Sequence, residues 1–355
     1  MKQKCFDLLS CSGIMSSVAR VTVNILNTNE MRFLPRCVDA VLNQTYTDYE
    51  CVVIDNASTD GSPEWVEANR PAVKIIRNAS NEWYCGGHNI GIRETSSELL
   101  LLLNSDVFIE PDFLEKMVEG IDADEKLGGV QGKLWKILDP VGDVPPPDKR
   151  YIDTTGILMT RSRRNFDRFQ ESFDDGTFDD PGPVFGPDGS APLYRRSMLE
   201  DIAIDGEYFD TTFKIYRDVV DLSWRARSRG WKFAYVPNAK GYHVRGFSPR
   251  KRKKQPLFFR RLSYRNRYLT LLKNEQTRSL LPHLPEFLGF EIMMLGHVLF
   301  REPSLVCAWM DLLKLLPQAL KKRRKIMAGA VVPAADITRT FARRAPDLHR
   351  REKGS

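Results

Sequence analysis

One stretch constrains the fold of this chain more than any other: residues 99–107, Leu-Leu-Leu-Leu-Leu-Asn-Ser-Asp-Val. A continuous apolar run closed by polar residues reads as a strand buried on both faces, and such strands belong to parallel sheets covered by helices. In an open α/β sheet the ligand crevice lies beyond the carboxyl ends of the strands. Asn104 and Asp106 are therefore expected at the lip of a site.

The flanking sequence supplies the rest of such a sheet. Residues 20–26 alternate with β-branched side chains and read as a first strand ending at Asn27-Thr28-Asn29. Residues 31–43 place apolar side chains at helical spacing and return to a second strand at 50–55, which makes a βαβ unit. That strand runs into Asp55-Asn56-Ala57-Ser58-Thr59-Asp60-Gly61-Ser62. Asp60 and Ser62 read as a capped turn; Asp55 is either part of it or an acid placed to accept hydrogen bonds from a nucleobase or ribose.

Residues 73–76 form a short third strand, and Gly86, Gly87 and Gly91 are expected to precede a helix, letting the backbone approach a phosphate or sugar. Their spacing matches neither of the common nucleotide-binding glycine motifs. A helix at 111–121 and a strand at 128–137 follow. The proline-rich stretch 139–149 reads as a boundary between a nucleotide-binding half (19–138) and an acceptor half (139–248). Residues 161–183 read as a surface excursion, and 186–196 as a turn into a short strand. Asp218 and Asp221 share one helix face; a strand at 231–236 precedes Gly241-Tyr242-His243.

The net charge of +7 conceals a division: residues 1–244 hold 28 Lys or Arg against 38 Asp or Glu, residues 245–355 hold 25 against 8. Eleven of those cations lie between Arg245 and Lys273, interleaved with aromatics, and five more form the run 321–325. Such a tail suits an anionic membrane surface or a nucleic acid; a solvated face on a packed helical domain is the plain alternative. Residues 280–320 are apolar but interrupted by prolines and charges, as in short helices at an interface. We read 1–18 as a lead-in, 249–331 as a basic helical membrane-associating region, and 332–355 as a disordered tail. The six cysteines form no C-x-x-C pair, which argues for a reducing compartment and against a zinc site. With no secretory apolar segment and no uncharged window of the ~18 residues a spanning helix needs, the expected location is cytoplasmic; an anionic membrane partner for the basic tail would make it peripheral on the inner face of the cell membrane.

Five segments in this order resemble the family 2 glycosyltransferases of GT-A fold, and among them the rhamnosyltransferase-like group that builds bacterial cell-surface polysaccharides. They are Asn27-Thr28-Asn29, residues 53–61, residues 85–91, Leu103-Asn104-Ser105-Asp106-Val107, and residues 218–225 with Gly230-Trp231 and His243 beyond. The resemblance covers roughly residues 21–273. It implies an α/β fold with a Rossmann-like, mostly parallel central sheet and a C-terminal basic helical region. It further implies inverting, metal-dependent transfer of a sugar, with dTDP-rhamnose as a candidate donor, to a glycan or lipid-linked acceptor.

By the same resemblance Asn27, Asn29, Asp55, Asn56, Gly87, Asn89, Asn104, Ser105 and Asp106 contact the nucleotide sugar, Asp55 holding the base. Asp106 and His243 ligate Mn²⁺ or Mg²⁺, which neutralises the charge growing on the diphosphate. Trp83, Asp188, Gly189 and Ser190 face the acceptor. Asn104 replaces the first aspartate of the family's D-x-D-like motif, lowering the site's negative charge by one. No nucleic-acid partner is implied.

The sequence departs from the family where the base is expected. The usual pattern is Glu-Asp-Val-Asp-Leu, and aligning on Asp221-Leu222 sets Asp218 against the Glu and Val219 against the Asp that deprotonates the acceptor. Asp218, Asp188 and Asp221 are the candidates left, Asp221 also reading as a structural partner of Arg225 at i+4. Trp83 stands where glycine is usual, either stacking on a sugar or packing. Val219 motivates a rival reading, a non-catalytic nucleotide-sugar or glycan-binding protein of the same fold. A sugar nucleotidylyltransferase ranks behind it, since a glycine-rich basic N-terminal signature is lacking.

Overall fold

The structure, a computed structural model, describes residues 18–137, 143–245 and 255–343. The lead-in, the start of the proline-rich boundary, the cations at 250–254 and the last twelve residues lie outside the described residues.

The chain opens as β1 (Val21–Asn27), α1 (Leu34–Leu42), β2 (Tyr49–Asp55), α2 (Ser62–Asn69), β3 (Lys74–Arg77), α3 (Trp83–Arg93) and β4 (Leu99–Asn104). β1 pairs in parallel with both β2 and β4, and β2 with β3. All five leucines of β4 are fully buried and alternate between two cores. Leu99, Leu101 and Leu103 pack with Val38 and Val41 of α1, Leu100 and Leu102 with Cys85 and Ile92 of α3. Full burial of each leucine stabilises by about 1.5–3 kcal/mol, which is why this strand fixes the centre of the sheet.

β4 contains the whole apolar run and ends at Asn104. At Ser105-Asp106 the chain turns into β5 (Val107–Ile109), so Val107 starts a new strand. Then come α4 (Phe113–Asp122), β6 (Leu127–Lys136), β7 (Ile152–Thr154), β8 (Ile157–Met159), β9 (Asn165–Asp167), β10 (Gly182–Pro183), β11 (Pro192–Arg195), α5 (Arg196–Asp201), α6 (Asp218–Ser228) and β12 (Lys232–His243). The main sheet runs β10-β12-β6-β11-β4-β1-β2-β3, with β5 on β12 and β7 on β6. β6 and β12 are parallel and β11 lies antiparallel between β4 and β6, so one sheet continues through both halves of the chain. Together with the helices on its faces, this is the mostly parallel α/β architecture of the GT-A fold.

Three local expectations need correction. Gly86, Gly87 and Gly91 lie inside α3, not before it. A Cβ at Gly87 would collide with Leu26, and one at Gly91 with Ile54, so these glycines let the helix sit directly on β1 and β2. Residues 232–243 form one strand, whose register shifts between Val236 and Lys240. The segment 161–183 folds back: β8 and β9 pair, β10 joins β12, and Asp174 and Asp179 meet the buried ammonium of Lys133.

The C-terminal region consists of α7 (Leu257–Asn274), α8 (Thr277–Leu280), α9 (Leu284–Phe300), α10 (Cys307–Gly329) and α11 (Ala334–Arg339). Much of its charge points inward. Lys273 Nζ lies 2.6 Å from Asp210 and 2.8 Å from Asp221, and Lys322 Nζ lies 2.7 Å from Glu207 and 2.8 Å from Asp210. These cations answer acids of the sheet-bearing part of the chain that burial would otherwise leave uncompensated. Residues 334–341, expected to be disordered, form α11 and a closing turn, because Phe341 packs edge-on against Phe185 and Trp224.

Candidate functional site

The site lies where β1, β2, β4 and β12 end. Asn27, Asn29, Asp55 and Asn56 come together there. Asn27 Nδ2 donates to Asp55 Oδ1 (2.9 Å) and to the hydroxyls of Ser58 and Ser62. Ser58 N–H donates to Asp55 Oδ2 at 3.1 Å. Asn29 takes a left-handed conformation (φ 56°), which asparagine tolerates, and its side-chain oxygen accepts from Thr59 N at 2.7 Å. Asn56 bridges Asn78 and the carbonyl of Trp83, and the Cβ position at Gly87 lies 3.2 Å from its amide. Asn89 is engaged elsewhere, because its buried amide donates to and accepts from the backbone of Phe209 (2.7 and 2.9 Å), which occupies both ends of the group.

The turn after β4 delivers Asp106 to His243. β5 pairs antiparallel with the end of β12, His243 opposite Val107, and Val244 N–H donates to Asp106 O at 3.0 Å. His243 Nε2 then lies 3.3 Å from Asp106 Oδ1, while Nδ1 lies 2.8 Å from Asp153 Oδ2 on β7. Burial would lower the imidazole's pKa, but the Asp106 and Asp153 carboxylates outweigh it and push it up to about 10. Arg245 continues the chain of charges, with Nε 2.9 Å from Asp153, a contact to Asp167, and Nη2 3.5 Å from Asp188. Despite its burial, Asp153 is held below the usual carboxylate range by Arg245 and His243.

Asp106 and His243 converge as two ligands of a metal site would. Asp153 fixes the imidazole through its other nitrogen, the outer-shell arrangement that orients a ligating histidine. Among the described residues no three His, Cys, Asp or Glu side chains are grouped to hold an ion. A cation on this pair would have to displace the His243 Nε2 proton and take its remaining ligands from outside the chain, as from phosphate oxygens. Glu30, just beyond the first strand's turn, registers the same negative field. Burial first, then repulsion from Asp106 and Asp60, raises its pKa to about 7.

The residues expected to face the acceptor gather at the turn before β11. Asp188 Oδ1 accepts from Ser190 N–H (2.8 Å) and from the Ser190 hydroxyl, and Ser190 O accepts from Asn104 N–H at 3.0 Å. Ser105 is buried in the adjoining turn. Tyr84 OH donates to Gly189 O at 2.9 Å, and Val219 faces the same glycine, 3.4 Å from its Cβ position. Asp218, at the first turn of α6, points to Cys85 Sγ (3.6 Å). Burial lifts its pKa to about 7, with the Asp188 charge adding to the rise. Asp221 ceases to be a candidate base: it is buried and receives Arg225 Nε (3.0 Å), Lys273 Nζ (2.8 Å) and Asn274 Nδ2 (2.7 Å). Trp83, half-buried, packs on Phe258 with ring centroids 5.2 Å apart, Lys214 lying over its face.

Sequence reasoning missed Asp153, Arg245 and Glu30. Glu30 was within reach of the strand-end rule. Asp153 lies 90 residues from His243, with nothing in the sequence to join them.

The family model for Glycosyl transferase family 2 matches residues 22–203. Glycosyltransferase GlyG of Streptococcus pneumoniae is 30% identical over 122 residues, which is 32% of this chain and 39% of that protein. The chain thus spans about two fifths of that relative's length. Among solved structures, S. aureus TarS 1-349 aligns with 90% of this chain and 89% of its own at 17% identity and TM-score 0.53. GalNAc-T7, solved with UDP, GalNAc and Mn²⁺, aligns with 73% of this chain and 48% of its own, at 17% identity and TM-score 0.53. At such identity these two likenesses establish the fold.

Proposed function

Since the chain belongs to glycosyl transferase family 2, we propose that it transfers a sugar, with inversion, from a nucleotide-sugar donor to a glycan or lipid-linked acceptor. The observation that carries this is the convergence of Asp106 and His243, 3.3 Å apart, at the carboxyl end of β4 and within one backbone hydrogen bond of the Asp188–Ser190 turn. The residues assigned to donor and to acceptor are thereby neighbours at the carboxyl end of β4.

Asp106 and His243 would hold Mn²⁺ or Mg²⁺, whose positive charge stabilises the departing diphosphate. The Mn²⁺ and UDP of GalNAc-T7 are in keeping with that assignment. Asp55, with Asn27 and Asn56 beside it, takes the nucleobase side. Asp218 accepts the proton of the attacking hydroxyl; a carboxyl whose pKa is about 7 suits a base working near neutrality. Asp188 is the weaker candidate because its oxygens already serve Ser190 and Arg245. Within this reading dTDP-rhamnose is the first donor to try, in cell-surface polysaccharide synthesis, with the enzyme peripheral on the inner face of the membrane. One observation favours a second reading, binding without transfer: Val219 presents an apolar side chain to Gly189 where the base was expected.

The test is a thermal-shift panel of nucleotide sugars with and without Mn²⁺, followed by transfer assays, since ligands of the native state raise its stability. The donor should stabilise the protein more strongly with Mn²⁺ present, Asp106→Ala should lose that increment, and Asp218→Asn should bind donor yet fail to transfer. Full Mn²⁺-dependent turnover by Asp106→Ala would refute the metal assignment. Donor binding with no turnover by the wild type on any acceptor would favour the second reading.

A further inference from the structure

Helix α9 turns an apolar stripe outward. On α9 the residues Leu288, Ile292, Leu295 and Leu299 follow one helical stripe and all are exposed, Ile292 by 70%; Phe300 at the helix end is 84% exposed. Glu286 in the first turn is exposed, but the later polar side chains turn toward neighbouring residues of the chain. Glu291 meets Arg267 and accepts from Tyr268 OH (2.7 Å), and His297 lies 3.2 Å from Glu302. A surface helix in water normally shows the reverse arrangement. The first half of α10 continues the exposed apolar surface with Met310 and Leu313, and its next turns expose Lys314, Lys321 and Arg324.

We propose that this face of α9 and the start of α10 inserts into one leaflet of an anionic lipid bilayer, as a monotopic anchor. Apolar side chains flanked by exposed cations match the acyl layer and headgroups of such a surface. Among the described residues no helix is long and apolar enough to cross a membrane, so the face lies in the interface. Among the described cations Arg260, Arg267, Lys273 and Lys322 are spent on acids of the chain itself, so apolar contact is expected to add to the attraction of the basic tail for the surface. The face also borders the site. Arg260 binds Glu302 (2.7 Å), just past the end of α9, and two residues before it Phe258 packs on Trp83 at the acceptor rim. Insertion would bring that rim to the headgroups, where a lipid-linked acceptor presents its sugar. This orientation rests on the proposed membrane-borne acceptor, whereas the test below needs no turnover and so fails or succeeds separately.

The full chain is sedimented with vesicles of phosphatidylcholine containing phosphatidylglycerol, at low salt and at about 0.5 M NaCl, where surface charge is largely screened. Wild type should bind in both, and Ile292→Glu combined with Leu299→Glu should lower partitioning at least tenfold with an unchanged melting curve. Should that pair fail to fold, Phe300→Gln, at an exposed helix end, should give at least a twofold loss. Three results overturn the proposal: no vesicle binding, binding abolished by salt and indifferent to these substitutions, or a dimer in solution that the substitutions separate.

Discussion

His88 offers a sharp test of how the site is supported. Its ring is fully buried on α3, edge-on to Tyr84 with centroids 4.5 Å apart, and among the described residues neither nitrogen has a hydrogen-bond partner. Burial lowers its pKa from 6.5 to about 3. The unfolded chain takes up a proton near pH 6.5 that the native state refuses until about pH 3. The native state is therefore destabilised progressively as pH falls through that window. With these two values the linkage costs about 2 kcal/mol at pH 5 and about 0.2 kcal/mol at pH 7. His88→Phe keeps a ring of similar shape and removes the proton site. Urea unfolding at pH 7 and pH 5 should show wild type losing about 2 kcal/mol more than the variant between the two. Equal losses would refute the reasoning, because they would mean an imidazole that is protonated or hydrogen-bonded in the native state. Tyr84, packed on His88, is the residue whose hydroxyl holds Gly189, so the acceptor turn depends on this contact.

Other expectations follow from the same geometry. If Asp218 is the base, it must be ionised, so transfer should fall about tenfold per pH unit below about pH 7. A rate flat from pH 5 to 8 would point away from this carboxyl. Asp153→Asn removes the anion that orients His243 and should weaken Mn²⁺ binding about 10–100-fold, read by calorimetry in the presence of nucleotide. Gly91→Ala forces a methyl group against Ile54. The overpacking cost of about 1–3 kcal/mol should match or exceed the ~1 kcal/mol that alanine gains in helix propensity, giving an unchanged or lower denaturation midpoint. A more stable variant would show that the strand yields freely.

What the sequence made legible was whatever a single element encodes in its own order. Five leucines in succession, alternating between two cores, define β4, and the strand-end rule places Asp55 and Asp106 without any knowledge of their neighbours. Direction within an element was harder to read. A glycine spaced to cradle a phosphate looks the same as one spaced to admit Leu26 or Ile54, and only the seating of α3 distinguishes them. Charge has the same ambiguity: a count of cations beyond Arg245 does not reveal that Lys273 and Lys322 turn toward Asp210. Asn89 falls in the same class, since a motif position gives no sign that its amide is spent on Phe209.

The least legible part is the one that joins the two ends of the site. Asp153, Asp167 and Asp188 lie on three separate stretches, and each alone reads as a loop or strand acid. Arg245 gathers all three, so that one guanidinium answers the carboxylate holding His243 and the carboxylate holding the Ser190 turn. A buried cation among several acids is stable only while the set is intact, because removing one partner leaves uncompensated charge. The proposed metal pair and the proposed acceptor turn are thus fixed relative to each other by a common electrostatic tie rather than by separate scaffolds. This explains why an isolated His243 at the end of β12 can be held firmly against Asp106 at a turn of only two residues.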